Sequence, residues 1–265
     1  MNVYLQPHSD DVCFSLAGAA AQAPGVLLTV LPRSPWVHPA AVPNQPSIEE
    51  VTALRTAEDR RFAAAVGLTP RFLDLSEAAG VGWQPFDRSR LAENADRIRG
   101  PLICELLALS TGSSAHPDRP WLFCPVGIGG HVDHLAVRTV IIEHDADLSP
   151  HYRIGFYEDL HYASQRRART IGLTRLLGGR AKPASTRWVR ALDADAASAK
   201  CALIAGYASQ HRHLPSDLAQ YSPVTMPSSP PHEAVWTSEG PPDGFTSPAT
   251  PFDAIATVAK TFARR

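Results

Sequence analysis

Short apolar runs recur along the chain at Val3–Leu5, Val26–Leu31, Arg71–Leu75, Trp121–Val126 and Arg153–Tyr157, each of strand length. Between them lie segments with helical spacing, and this alternation predicts crossover units on a parallel sheet. The Ala-rich run from Leu16 to Gln22 reads as one short helix. A second, about Ile48 to Val66, carries Val51, Leu54, Phe62 and Ala65 along one stripe, and Ser47 with Glu50 has the spacing of a capping box at its start. Glu58 falls on the same stripe, so its carboxylate faces inward or toward a cleft. Arg55, one turn earlier, is placed to offset that burial by pairing with it. Pro-rich stretches at 32–46 and 215–251 interrupt the pattern and predict loops that shape a pocket above the sheet. The stretch from Thr170 to Arg180 says little beyond surface character.

Composition narrows the picture. With 265 residues and 44% hydrophobic content the chain can bury a sizeable core as one domain over 1–265. A net charge of −1 without any block of Lys or Arg argues against nucleic acid or an anionic membrane as partner. No apolar run approaches the roughly 18 residues of a membrane span, and no secretory leader pattern opens the chain, so a cytoplasmic protein is expected. Nothing in the sequence sets the oligomeric state. Cys13, Cys104, Cys124 and Cys201 form no C-x-x-C pair and read as buried free thiols.

Two polar clusters follow apolar runs. Pro7-His8-Ser9-Asp10-Asp11 comes directly after Val3-Tyr4-Leu5, and His131-Val132-Asp133-His134 follows Trp121–Val126 through Gly127, Gly129 and Gly130. His8 and Asp11 are three apart, as are His131 and His134, so one helical turn brings each pair to one side. Both clusters would sit at carboxyl ends of strands, where open α/β sheets place ligand sites. Either cluster alone is weak, since a His-x-x-His pair on a helix is often structural and an Asp-Asp pair is often a cap. Together they supply two His and one Asp for an open three-ligand zinc site, and leave a carboxylate and an imidazole for the base and the oxyanion partner of a hydrolysis. The glycines fit neither the dinucleotide fingerprint nor the phosphate loop, and turn geometry explains them better.

The two clusters resemble the signatures of the PIG-L/LmbE family of zinc-dependent N-deacetylases, a His-x-Asp-Asp motif near the N-terminus and a distant His-x-Asp-His motif. The resemblance continues through Leu54-Arg55-Thr56-Ala57-Glu58-Asp59 with Ala65-Val66-Gly67, and through Phe156-Tyr157-Glu158-Asp159-Leu160-His161-Tyr162-Ala163. Lys200, Tyr207-Ala208-Ser209-Gln210, Glu233 and Trp236 follow in family order. It implies an α/β, Rossmann-like three-layer fold with a mostly parallel central sheet and the active site at the carboxyl ends of the strands. It further implies zinc on His8, Asp11 and His134, a donor set that also accepts ferrous iron or cobalt. In the same resemblance Asp10 is the general base. His131 is a positively charged transition-state partner, and Asp133 orients it. Arg55, Tyr157, Glu158 and Asp159 are candidates to meet substrate, with an ion pair for Arg55 and a supporting or capping role for the other three as the alternative.

The implied activity is removal of an N-acyl group, acetyl first of all, from an amino sugar in a small glycoconjugate or natural-product intermediate. The alternatives are an amidase acting on a larger amide such as a thiol conjugate, or a non-catalytic sugar binder. Retention of both Asp10 and His131 argues against the binder. Two departures bear on specificity. Val12 stands where many relatives carry Glu, and His161 stands where related segments often have Pro.

Overall fold

A computed structural model describes residues 1–39, 41, 46–110, 119–178, 186–210, 221–224 and 230–246. Its strands are β1 (Asn2–Gln6), β2 (Gly25–Thr29), β3 (Thr69–Phe72), β4 (Trp121–Pro125), β5 (Arg153–Tyr157), β6 (Thr186–Ala191) and β7 (His232–Thr237). They form one seven-stranded sheet in the order β3-β2-β1-β4-β5-β7-β6. The first five run parallel, and β7 is antiparallel to both β5 and β6. Every residue of β2 and β4 is buried, as expected of central strands covered on both faces.

The helices are α1 (Asp11–Gln22), α2 (Ile48–Val66), α3 (Leu91–Leu109), α4 (Val132–Glu143), α5 (Asp145–Leu148), α6 (Arg166–Gly178) and α7 (Ala194–Ala205). Packing of α1 against α2 and α7, and of α3 against α4, gives the helical layers that flank the sheet in a three-layer α/β fold. The strand order reverses at β1, which pairs with β2 on one side and β4 on the other. That reversal opens a crevice beyond the carboxyl ends of β1 and β4, and both polar clusters emerge there.

Local chemistry explains most element boundaries. Ser47 and Glu50 close a reciprocal capping box at the start of α2, and Gly67 ends the helix in the left-handed conformation at φ 75°. On the α2 stripe Val51 and Phe62 are buried as expected, while Leu54 is half-buried and Ala65 is exposed. Ala63 and Val66 take the inward positions instead. Helix α1 begins at Asp11, ahead of the Leu16 start read from the Ala-rich run, with a kink at Leu16 where φ is −135°. The Glu233 carboxylate accepts from Gly18 N and Ala19 N, both at 2.9 Å, just beyond that kink. Lys200 Nζ donates to the same carboxylate at 3.0 Å.

The stretch around Thr170 is part of α6, which buries Leu173 and Leu176. Cys13, Cys104 and Cys124 are free thiols. Cys13 and Cys124 are buried as expected, but Cys104 is exposed on α3. Of the Pro-rich segment 215–251, residues 221–224 and 230–246 are described, and His232–Thr237 within it form β7 rather than the loop expected from the sequence. Among the described residues no helix is long and apolar enough to cross a membrane.

Candidate active site

The first cluster is built by a strained turn between β1 and α1. The Gln6 side chain sits under it. Its Nε2 donates to Thr29 Oγ1 and Asp59 Oδ2, each at 2.9 Å, and its Oε1 accepts from Val12 N at 3.1 Å, capping the first turn of α1. Asp10, the residue before the helix, has φ 127°, a conformation that non-glycine residues rarely adopt. Such strain persists where surrounding structure over-determines it, and it concentrates at functional positions. Burial, with Asp11 beside it, pushes the Asp10 carboxyl well above the usual carboxylate range. With the Gln210 amide oriented to suit its neighbours, its nitrogen donates to Asp10 Oδ2 at 3.2 Å and its oxygen accepts from Arg55 Nε at 3.0 Å.

The second cluster leaves β4 through glycines with positive φ. At Gly129, φ is 91° and an added Cβ would lie 2.5 Å from the Tyr162 ring, so both backbone and space require glycine. His131 then caps α4, and its Nδ1 accepts from Asp133 N at 3.3 Å. That bond leaves the proton on Nε2. Burial, reinforced by His8 and His134, pushes the His131 pKa down to about 2. This direction runs against the cationic His131 expected from the sequence.

Asp133 also departs from its expected role. It is fully buried, accepts from His8 Nε2 at 2.8 Å and Ala78 N at 3.0 Å on one oxygen, and accepts from Asn94 Nδ2 at 2.7 Å on the other. Its nearest approach to His131 is 3.8 Å to Nδ1. Asp133 thus orients His8, and it touches His131 through its backbone.

The donors for a metal fit together. His8, tied through Nε2 to Asp133, turns Nδ1 to 3.8 Å from Asp11 Oδ2. His134 donates from Nδ1 to Asp159 Oδ1 at 2.7 Å and presents Nε2 at 3.4 Å from Asp11 Oδ1. Ligand bonds of about 2.0–2.1 Å at tetrahedral angles separate donor atoms by roughly 3.3–3.4 Å; the His134–Asp11 spacing matches this, and the His8–Asp11 spacing, to the other carboxylate oxygen, is wider. A carboxylate behind each ligating histidine is the usual outer support of such a site. Although burial alone would lower it, Asp11 and Asp159 raise the His134 pKa to about 9, the mark of a place that favours positive charge. The ring nitrogens of His8, His131 and His134 also lie within 4.8 Å of one another, so His131 borders the same site.

These groups floor a cleft of about 440 Å³ that His8, Asp10, Asp11, Arg55, His131 and His134 all line. Trp36, Phe86, His161, Tyr162 and Tyr221 add an aromatic wall. Arg55 reaches the cleft as anticipated, but it does not pair with Glu58. Its guanidinium donates to Ser34 Oγ at 2.6 Å and Ser9 O at 3.1 Å, with Glu77 at 3.6 Å. Glu58 instead accepts from the backbone N of Ser209 at 2.9 Å and from its hydroxyl.

Tyr157, Glu158 and Asp159 are buried and do not line the cleft, which corrects their reading as substrate contacts. Tyr157 donates its hydroxyl to Leu5 O at 3.1 Å. Glu158 accepts from Arg169, Arg187 and Trp236, and the two guanidiniums overcome burial to hold its carboxyl well below the usual range. Asp159 supports His134 and accepts from Ile128 N at 2.9 Å. Glu77 and Phe86 lie in stretches without periodic pattern, Trp36 was not singled out within the 32–46 stretch expected to shape the pocket, and Asn94 is a polar residue on the inward stripe of α3 with Ala95, Ile98, Leu102 and Leu106. Gln210 and Tyr162 stood inside matched motifs without a role. Val12 is fully buried in the core, and His161 lines the cleft.

No family model matches the chain. It is 32% identical over 169 residues to a 2'-N-acetylparomamine deacetylase from Streptomyces fradiae, a match covering 62% of this chain and 58% of that protein. The match thus spans less than two thirds of the relative's length. Among solved structures, the deacetylase of the antimicrobial A40926 pseudoaglycone shares the fold with a TM-score of 0.61 at 18% identity, over 89% of this chain and 95% of its own. A deacetylase–teicoplanin complex gives 0.60 at 15% identity over 89% and 96%. The zinc-inhibited form of a teicoplanin deacetylase gives 0.58 at 16% identity over 94% and 98%. The resemblance to PIG-L/LmbE-type deacetylases, carried first by two short motifs, therefore holds in the sequence match and in the fold.

Proposed function

We propose that the chain is a divalent-metal hydrolase, acting as one domain, that removes the N-acetyl group from an amino sugar in a small natural-product intermediate. The observation that carries this reading is the convergence of Asp10 and His131 on the mutually facing donors His8, Asp11 and His134 inside one cleft. The relative from Streptomyces fradiae, named a 2'-N-acetylparomamine deacetylase, supports the substrate class. His8, Asp11 and His134 would hold a divalent metal, zinc in the first instance, which would supply Lewis acidity toward the attacking water and the amide carbonyl.

Asp10 takes the proton from water as the new C–O bond forms. The same carboxyl returns it to the nitrogen as the C–N bond breaks, so acetate and a free amine leave. His131, with its proton on Nε2, donates toward the oxygen on which negative charge develops. Asp133 holds His8.

The test is acetate release from a panel of N-acetylated amino sugars and their glycosides by the metal-loaded protein, with metal content measured in parallel. Release that disappears in Asp10→Asn is expected. The reading is wrong if no member of the panel yields acetate, or if Asp10→Asn works as well as the wild type.

A further inference from the structure

Three arginines gather on the outer side of the Gly127–Gly130 turn, the segment that leads from β4 to His131. An added Cβ at Gly130 would lie 2.6 Å from Arg88 Nη2, and one at Gly127 would lie 3.7 Å from Arg138 Nη1. Helix α6 rests on the same turn through Gly172, where an added Cβ would meet Ile128 Cγ1 at 2.7 Å. Arg175, one turn further along, shares that face of the helix. None of the three arginines lines the active cleft.

A half-buried guanidinium is normally paired. Arg138 donates from Nη1 to Val126 O at 2.7 Å, while its Nε is buried without a partner. Among the described residues none of the three side chains pairs with a carboxylate, and those of Arg88 and Arg175 make no hydrogen bond. Helix α6 contains no Asp or Glu that could neutralise Arg175 from its own surface. Asp159, whose charge reaches Arg138, is already taken by His134 Nδ1 and Ile128 N. Burial pushes the Arg138 pKa down, and against the pull of Asp159 the charges of Arg175 and Arg88 add to the fall. Burial and then Arg88 lower that of Arg175. Guanidiniums keep their protons in proteins, so three positive charges stand together with their repulsion unrelieved.

Single exposed arginines are ordinary and simply solvated. Here the three come from separate elements, and one of them is half-buried with an unpartnered Nε. We propose that Arg88, Arg138 and Arg175 form a second site, outside the active cleft, that binds a tetrahedral oxyanion of the phosphate or sulfate class. Guanidinium groups donate in pairs to such oxygens, and a dianion offsets two of the three charges. The proposal goes beyond the deacetylase reading and does not rest on it. Because the turn runs directly into His131, an anion seated there braces the segment that carries this residue. A free anion and a phosphate monoester share the required chemistry, and separate arms of the experiment distinguish them.

The experiment measures binding of inorganic phosphate, sulfate and glycerol 2-phosphate to the metal-loaded protein by calorimetry, with chloride at matched ionic strength as control. It compares the wild type with Arg88→Gln and Arg175→Gln, which remove side chains that make no hydrogen bond or ion pair. Phosphate should bind with a Kd of about 1 mM or tighter, and each substitution should weaken it about tenfold or more, the loss of one charge-assisted contact. At about ten times its Kd, phosphate should raise the wild-type Tm by about 2–5 °C, and the rise should shrink in both variants. Without anion the variants should melt no lower than the wild type, since each relieves repulsion. Glycerol 2-phosphate binding as tightly as phosphate would mark a site open to an esterified phosphate, and its exclusion would mark one for the free ion. Binding that chloride reproduces would overturn the proposal. So would binding that neither substitution weakens, which would put the anion on the metal instead. A variant that melts well below the wild type without anion would also overturn it, by making the arginine a structural support.

Discussion

Asp133→Asn separates the two roles that a carboxylate beside His131 could have. In the structure its Oδ2 accepts from His8 Nε2 at 2.8 Å and Ala78 N at 3.0 Å, and its Oδ1 accepts from Asn94 Nδ2 at 2.7 Å. An amide in this place cannot accept on both sides. One side would point a donor at a donor, and Asn94 cannot easily turn to help, because its Oδ1 already accepts from Arg97 Nη2 at 2.7 Å. The charge-assisted bond that fixes the His8 ring would be weakened or lost, a change of about 1.5–3 kcal/mol. Loss of such a support behind a metal-ligating histidine usually weakens metal affinity about ten- to a hundredfold, equivalent to about 1.4–2.7 kcal/mol, so the two figures agree. Chelator competition with zinc or cobalt on folded protein should show that loss, and turnover at saturating metal should recover in part. A variant that bound metal like the wild type yet lost turnover would refute the argument, and would return Asp133 to the role of orienting His131.

Asp10→Asn should keep its fold and metal while nearly abolishing turnover, whereas Asp11→Asn should lose metal. Equal metal loss by elemental analysis in both variants would show base and ligand exchanged. His232 offers a test of stability against pH. Burial and then Arg187 push its pKa down to about 3, and its Nε2 accepts from Arg187 Nη2 at 2.9 Å. The unfolded chain, with a histidine pKa near 6.5, takes up a proton that the folded one refuses, so its contribution is present above about pH 6.5 and is lost as pH falls toward 3. Between pH 7 and pH 5 the wild type should lose about 2 kcal/mol more than His232→Gln in urea unfolding, and equal losses would place the linkage elsewhere.

Much of this architecture was legible because its signals are local. The capping box at Ser47 and Glu50, the central strands and the two His/Asp clusters depend on neighbours a few residues apart. The misread roles depend on partners far along the chain. Arg55 and Glu58 share a helix, but Glu58 is taken by Ser209 from 151 positions away, and Arg55 turns to Ser9, Ser34 and Gln210. Asp133 follows His131 closely in sequence, yet residues two apart on a helix point to different faces, and its partner His8 is 125 positions away. Strand β6 escaped notice because only Trp188 and Val189 interrupt its polar residues, and β7 because its short run Ala234-Val235-Trp236 lies inside the Pro-rich stretch read as a loop. Residues such as Arg187, His232 and Glu233 are buried there through ion pairs and hydrogen bonds rather than by hydrophobic pattern.

The long-range bonds follow from the sheet order. Strands β1, β4 and β5 are adjacent and parallel, so the segments leaving their carboxyl ends lie side by side. His8 after β1 is held by Asp133 after β4, and His134 after β4 is held by Asp159 after β5. Asp11 faces both histidines and closes the set. Each of the two histidines is therefore oriented by a carboxylate from the next strand along, and a register slip between two of these strands would separate a histidine from its support. The hydrophobic pairing that fixes register, such as Tyr4 stacked at 5.1 Å on Phe123, fixes the geometry of the metal donors as well. In this arrangement the strained backbone at Asp10 is held from both sides. Gln6 caps the helix that follows it, and Gln210 meets its carboxylate, so the group assigned as base has a defined direction before substrate arrives.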